Sequence, residues 1–233
     1  MSNWCITNIT IETPNAENLV ENIKKWTTKD FYKNDFGNKW LGNVIAGSNI
    51  AEYDGENFYT PEGKKIGCKG WIDYFFIGGH SFFIGKDVTN EVYISTETAW
   101  GPYLQMWLKI IDKYYPEAKL IYRAEETNMG VYLTNDDKYA GKYILEIVDD
   151  LPENINIEDN DMLTADELEK IIYMFLPDLR VMSTKELLKY LAKRELECNN
   201  PKSRIDILIA IVLHHTDSIS IHQWQFSDPK ECD

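Results

Sequence analysis

The residues able to do chemistry are few and scattered. His214-His215 with Asp217, and His222 beyond, form the densest imidazole group, and such a group serves as a metal site or a general-base pair. Adjacent histidines leave a helix in different directions, so His214 and His215 are poorly placed to share one ion, and Ser218-Ile219-Ser220 argues against a helix continuing to His222. Gly78-Gly79-His80-Ser81 lacks the GxSxG order of a nucleophile elbow and reads as a turn. Residues 63–70 are locally basic and glycine-rich, but the GxxxxGK[ST] order is absent and a strand follows. Lys64, Lys65 and His80 are therefore kept only as an alternative site for a small phosphorylated ligand. Cys5, Cys68, Cys198 and Cys232 form no CxxC pair, which predicts free thiols and no zinc. The paired carboxylates Glu125-Glu126, Asp136-Asp137, Asp149-Asp150 and Glu158-Asp159 with Asp161 do not follow a calcium-loop order. The expectation is no catalytic set, no metal and no cofactor.

Charge narrows the partners. The 233 residues carry 24 Lys+Arg against 38 Asp+Glu, a formal net charge of −14. Phosphate neutralisation needs a cationic surface, so a bulk grip on DNA or RNA is excluded, as is docking on anionic lipid. Trp4, Trp71, Trp100 and Trp107 could stack bases, but stacking platforms come with basic neighbours, so core packing is the favoured reading. The acids can act collectively, because a dense negative surface fits a groove built for nucleic acid. Glu125, Glu126, Asp136, Asp137, Glu158, Asp159 and Asp161 are the candidate partner-binding residues. The start has no basic n-region or long apolar stretch, and no apolar run reaches membrane length, which predicts a cytoplasmic protein.

Hydrophobic periodicity sets the elements that must carry these residues. Alternation predicts a strand at 5–11, and Leu19, Ile23 and Trp26 predict a helix at 16–26. Residues 29–59 read as loop with a short helix near Trp40. Strands are expected at 70–77, 81–84 and 88–96. Pro102 suits the first turn of a helix whose stripe is Leu104, Trp107, Leu108 and Ile111. Strands at 119–124, 131–133 and 142–148 follow, then an acidic linker at 149–161. Thr164 with Glu167 and Ser183 with Glu186 are capping boxes, a third helix runs from Pro201 to Leu213, and the tail from His214 reads as polar loop. The order predicts an α+β chain: a ferredoxin-like split β-α-β sheet over 1–148, a linker over 149–161 and a helical region over 162–233.

Two blocks carry a family resemblance. The first is Asn3-Trp4-Cys5 with Asn8. The second runs from Thr96-Glu97-Thr98-Ala99-Trp100-Gly101-Pro102 through Trp107 and Tyr114-Tyr115-Pro116 to Tyr122 and Glu125-Glu126. Together they resemble the Api92-like, or YubB ferredoxin-like, family over roughly residues 1–148, with Ser2 where the family has proline and Ala99 where it often has lysine. The resemblance implies a ferredoxin-like core and a home on phages, plasmids or integrated elements. It implies no reaction and transfers no functional residue.

The expected function is that of a non-enzymatic acidic binding protein of a mobile element, an anti-defence inhibitor of anti-CRISPR or anti-restriction type. Its partner would be a host nuclease or guide complex whose basic nucleic-acid-binding surface it occludes. The alternative is an enzyme or sequestering protein for a small phosphorylated or nucleotide ligand.

Overall fold

A computed structural model describes residues 3–29, 31–78, 90–194, 196, 201 and 203–232. The expected strand at 81–84, His80 and Cys198 lie outside the described residues. The chain is α+β and divides into two units, one of residues 1–137 with 226–233 and one of residues 138–225.

In the first unit the elements are β1 (Trp4–Glu12), α1 (Ala16–Thr27), α2 (Leu41–Ser48), β2 (Glu52–Tyr53), β3 (Phe58–Tyr59) and β4 (Lys65–Ile66), followed by β5 (Gly70–Ile77), β6 (Glu91–Ala99), α3 (Leu104–Tyr114), β7 (Lys119–Glu126) and β8 (Val131–Thr134). In the second they are β9 (Tyr143–Ile147), β10 (Asn160–Leu163), α4 (Ala165–Phe175), α5 (Thr184–Lys193), α6 (Arg204–His215) and β11 (Ile219–Gln223). The chain returns through β12 (Gln225–Phe226), and the main sheet has the order β12-β8-β7-β1-β6-β5.

β1 is central because its alternation is complete. Cys5, Thr7, Ile9 and Ile11 are buried, while Trp4, Ile6, Asn8, Thr10 and Glu12 face the other way. It pairs antiparallel with β6 (Trp4 opposite Ala99, Glu12 opposite Glu91) and with β7 (Ile6 opposite Glu125, Glu12 opposite Lys119). The inner face packs on α1 through Leu19 and Ile23 and on α3 through Leu104, Trp107 and Ile110, all fully buried. Gly70 is required where β5 begins its pairing with β6, since a Cβ there would collide with the Glu97 carbonyl oxygen.

Several expectations are corrected. The boundary falls after Asp137, not Val148, because β9 joins β10 and β11 in a separate three-stranded sheet of order β10-β9-β11. Residues 149–161 are not a plain linker: Ile155 is buried and Asn160 and Asp161 open β10. The tail is not all loop, since Ile219 and Ile221 alternate inward along β11. Residues 29–59 hold β2 and β3 besides α2, and these strands pair with β4 in a small sheet of order β2-β3-β4. Pro102 precedes α3 by two residues instead of opening it, and the N-cap is Tyr103 in left-handed backbone with φ 44°. Among the described residues no helix is long and apolar enough to cross a membrane.

Candidate interaction face

The sheet face turned away from α1 and α3 carries the largest group of chemically distinctive side chains. β5 contributes Trp71, Tyr74 and Phe76. These share a face because the pairing register shifts between Ile72 and Tyr74, which bulges Asp73 and resets the alternation. β6 contributes Glu91, Tyr93, Ser95 and Glu97, and β7 contributes Lys119, Ile121, Arg123 and Glu125.

Two aromatic groups form on this face. The Trp4 and Trp71 rings lie 4.9 Å apart, and Phe36 stacks on Trp71 at 5.9 Å. Phe76 stacks on Tyr93 at 5.3 Å and on Tyr74 at 6.0 Å. Tyr74 and Phe76 remain 47% and 50% exposed and Ile6 46%, which is much apolar surface to leave open beside stacked rings.

Carboxylates thread between these rings. Glu97 lies opposite both Trp71 and Ile6, and Glu91 lies directly opposite Glu12. Like charges facing each other across strands are destabilising, so sequestering the Glu12–Glu91 pair confers no benefit on the sheet itself. Tyr93 donates a hydrogen bond to Glu91, and this bond, then burial, pushes its phenol up to about 12. Among the described residues of these strands, Glu12, Glu91, Glu97 and Glu125 share the face with Lys119 and Arg123 as cations.

The seven acids singled out from sequence fall on both units. Glu125 lies on the open face, whereas Glu126, next along β7, faces inward and is only 8% exposed, so it is no part of that face. Asp136 follows β8, where its N–H donates to Thr134 Oγ1 at 2.9 Å, and Asp137 is exposed. Glu158, Asp159 and Asp161 belong to the second unit. Asp159 there accepts the Ile147 N–H at 2.7 Å, a structural task.

Lys64 and Lys65 are exposed on the β3–β4 hairpin. Its turn has Pro61 at the second position, a Gly63 N–H donated to the Thr60 carbonyl at 2.8 Å, and Gly63 at φ 81°, so a tight turn accounts for this glycine. His214 and His215 end α6, where His215 meets the Tyr190 hydroxyl at 2.9 Å. His222 sits on β11 with Ser220 Oγ at 2.6 Å, and burial lowers its imidazole below the usual value. Among the described residues no three His, Cys, Asp or Glu side chains gather as a metal site. Burial pushes the Cys5 and Cys68 thiols each up to about 11, so neither is an activated nucleophile.

Of the four tryptophans weighed for stacking, Trp107 is core, Trp4 and Trp71 are half-buried on the open face, and Trp100 is 61% exposed. Sequence reasoning missed Tyr74, Phe76 and Tyr93, although Tyr74-Phe75-Phe76 already broke strand alternation. It also missed a clamp in the second unit. There Arg204 donates to Glu169 Oε1, the Tyr173 hydroxyl and the Met182 carbonyl, each at 2.8 Å, tying α4 to α6. Burial alone would raise the Glu169 carboxyl, but the Arg204 and Tyr173 hydrogen bonds outweigh it and hold it low. Comparison of the chain with family models, curated proteins and solved structures found no match.

Proposed function

We propose that this chain is a non-enzymatic acidic binding protein of a mobile genetic element, acting in the cytoplasm, whose open sheet face covers a basic nucleic-acid-binding surface of a host protein. A nuclease or guide complex is the partner class, and inhibition of host defence the purpose. We further propose that the first unit is a ferredoxin-like domain of the Api92-like kind. The support is the order β1-α1-β5-β6-α3-β7, with α2 and β2 to β4 inserted between α1 and β5, and neighbours in the order β7-β1-β6-β5, all antiparallel.

The observation that carries the functional reading is the alternation of open aromatic rings with carboxylates across β5, β6 and β1. Nucleic acid stacks on aromatics that lie among cations, and here a phosphate would meet Glu12, Glu91 and Glu97. A cationic protein surface reverses that sign. Tyr74, Phe76 and Trp71 then serve as desolvated anchors, and the carboxylates steer encounter.

The test is displacement. A partner captured from host cells on the tagged chain is purified, and its affinity for its own nucleic acid is measured as this chain is added. Stoichiometric loss of that binding, weakened in a Tyr74→Ser/Phe76→Ser variant, is expected. Undiminished nucleic-acid binding by the captured partner, or direct binding of a labelled single strand by this chain, would overturn the reading.

A further inference from the structure

At the Trp4 end of the sheet, on the face opposite the one just described, lies a cavity of about 190 Å³ walled by Cys5, Ala124, Glu126, Leu133 and Cys232, with Trp100 and Glu231 at its rim. All of these residues belong to the first unit. The cavity exists because residues 226–232 fold back across β8 and α3. Ser227 N–H donates to the Thr134 carbonyl at 2.9 Å, Gln105 Nε2 to the Lys230 carbonyl at 2.7 Å, and the Tyr122 hydroxyl lies 3.0 Å from Cys232 Sγ.

Three features give the cavity a chemistry. Glu126 is more than nine-tenths buried and lines the cavity, yet among the described residues its carboxylate has neither a hydrogen bond nor an ion pair. A largely enclosed carboxylate that has no countercharge of its own is free to take a cation that enters beside it. Glu231, exposed at the rim, adds a second negative group. Trp100 presents an open ring. Its backbone is left-handed, φ 75°, and is held so by its N–H to the Asn3 carbonyl at 3.0 Å and by Thr98 Oγ1 donating to Gly101 O. The remaining wall of Ala124, Val131 and Leu133 is apolar and suits an alkyl stem.

We propose that this cavity is a receptor for one arginine side chain, with the guanidinium on Glu126, its flat face against Trp100 and its stem along Ala124 and Leu133. The volume is below the roughly 300 Å³ at which pockets for whole small molecules begin, so a single side chain is the fitting occupant. Arginine is favoured over lysine because a guanidinium forks onto a carboxylate, stacks on indole and gives up water more readily than an ammonium. The inference rests on the proposed function only for the owner of the arginine, a basic partner surface. The cavity lies opposite the aromatic face, so it would act as a separate anchor.

The test needs no partner. N-acetyl-arginine amide is titrated into the full chain up to about 20 mM while the Trp100 indole is followed by NMR, a range that covers millimolar affinity. A saturating shift of the Trp100 signal is expected, with N-acetyl-lysine amide about fivefold weaker or worse. Glu126→Gln should weaken binding about tenfold or more with an otherwise unchanged spectrum, and Glu231→Gln should weaken it less. No saturable shift, equal binding by the lysine compound, or unaltered binding in Glu126→Gln would each overturn the proposal. Such a failure would leave the displacement test of the open face untouched. Arginine binding without displacement would instead keep the cavity and remove the proposed partner class.

Discussion

If this chain works by binding and not by thiol chemistry, Cys5 must be inert, and its rate of alkylation can be worked out in advance. Burial, opposed by the Thr7 hydrogen bond and reinforced by the charges of Glu126 and Glu125, lifts its thiol from 9.0 to about 11. At pH 8 that leaves about one thiolate in a thousand, against about one in ten for an unperturbed thiol. A more basic thiolate is a better nucleophile, by about eightfold over two units at a Brønsted slope of about 0.45, so the roughly hundredfold loss of thiolate becomes a net slowing of about tenfold. Cys5 is also only 3% exposed, so restricted access should carry the total beyond about a hundredfold. Pulse labelling with iodoacetamide, read peptide by peptide in native and denatured protein, measures this ratio. The native rate should climb about tenfold per pH unit toward pH 11, and Cys68, raised to a similar value, should behave alike. Native labelling of Cys5 at pH 8 within tenfold of the denatured rate would refute the reasoning and reopen thiol catalysis.

Trp107, fully buried between α3 and the sheet, should cost about 3–5 kcal/mol on change to Ala, read as a lowered denaturant midpoint for the first unit. Combining Thr164→Ala, Ser183→Ala and Ser203→Ala removes three capping boxes on three helices, and at about 1 kcal/mol each should lower the melting temperature of the second unit by more than about 10 °C. A shift under about 3 °C by calorimetry would show that tertiary packing alone fixes those helix starts. His222 is held below its ordinary 6.5 by burial, so the unfolded chain binds its proton first. The stability it contributes is present above about pH 6.5 and lost as pH falls toward the lowered native value, and His222→Gln should flatten that part of the pH–stability curve.

What could be read from the chain depended on whether the signal was local. The boxes at Thr164 with Glu167 and Ser183 with Glu186 were legible because one side chain and a backbone amide three residues on suffice, and both form. Trp107, Ile111 and Leu104 announced α3 by their spacing. The apolar run of β9 and the alternation of β11 show only that each has a buried side. These patterns cannot say that the two strands pair with one another instead of with β8, and the unit boundary was misplaced for that reason. The inward turn of Glu126 was available from the alternation of Tyr122, Ala124 and Glu126, but an acid pair reads naturally as surface. The bulge at Asp73, which assembles the aromatic face, and the return of residues 226–232, which completes the cavity, rest on long-range pairing that no window of sequence displays.

The central claim is that the open aromatic face meets a cationic protein surface, and the association rate with the captured partner tests it most directly. Glu91 and Glu97 stand on that face beside Tyr93 and Trp71, and reversing both to Lys inverts its local field without touching the buried side of β6. The account predicts that wild-type association slows steeply as salt rises toward the physiological screening length of about 8 Å, that Glu91→Lys/Glu97→Lys associates at least about tenfold more slowly at low salt, and that dissociation changes much less. Equal association rates for the two proteins at low salt would contradict it.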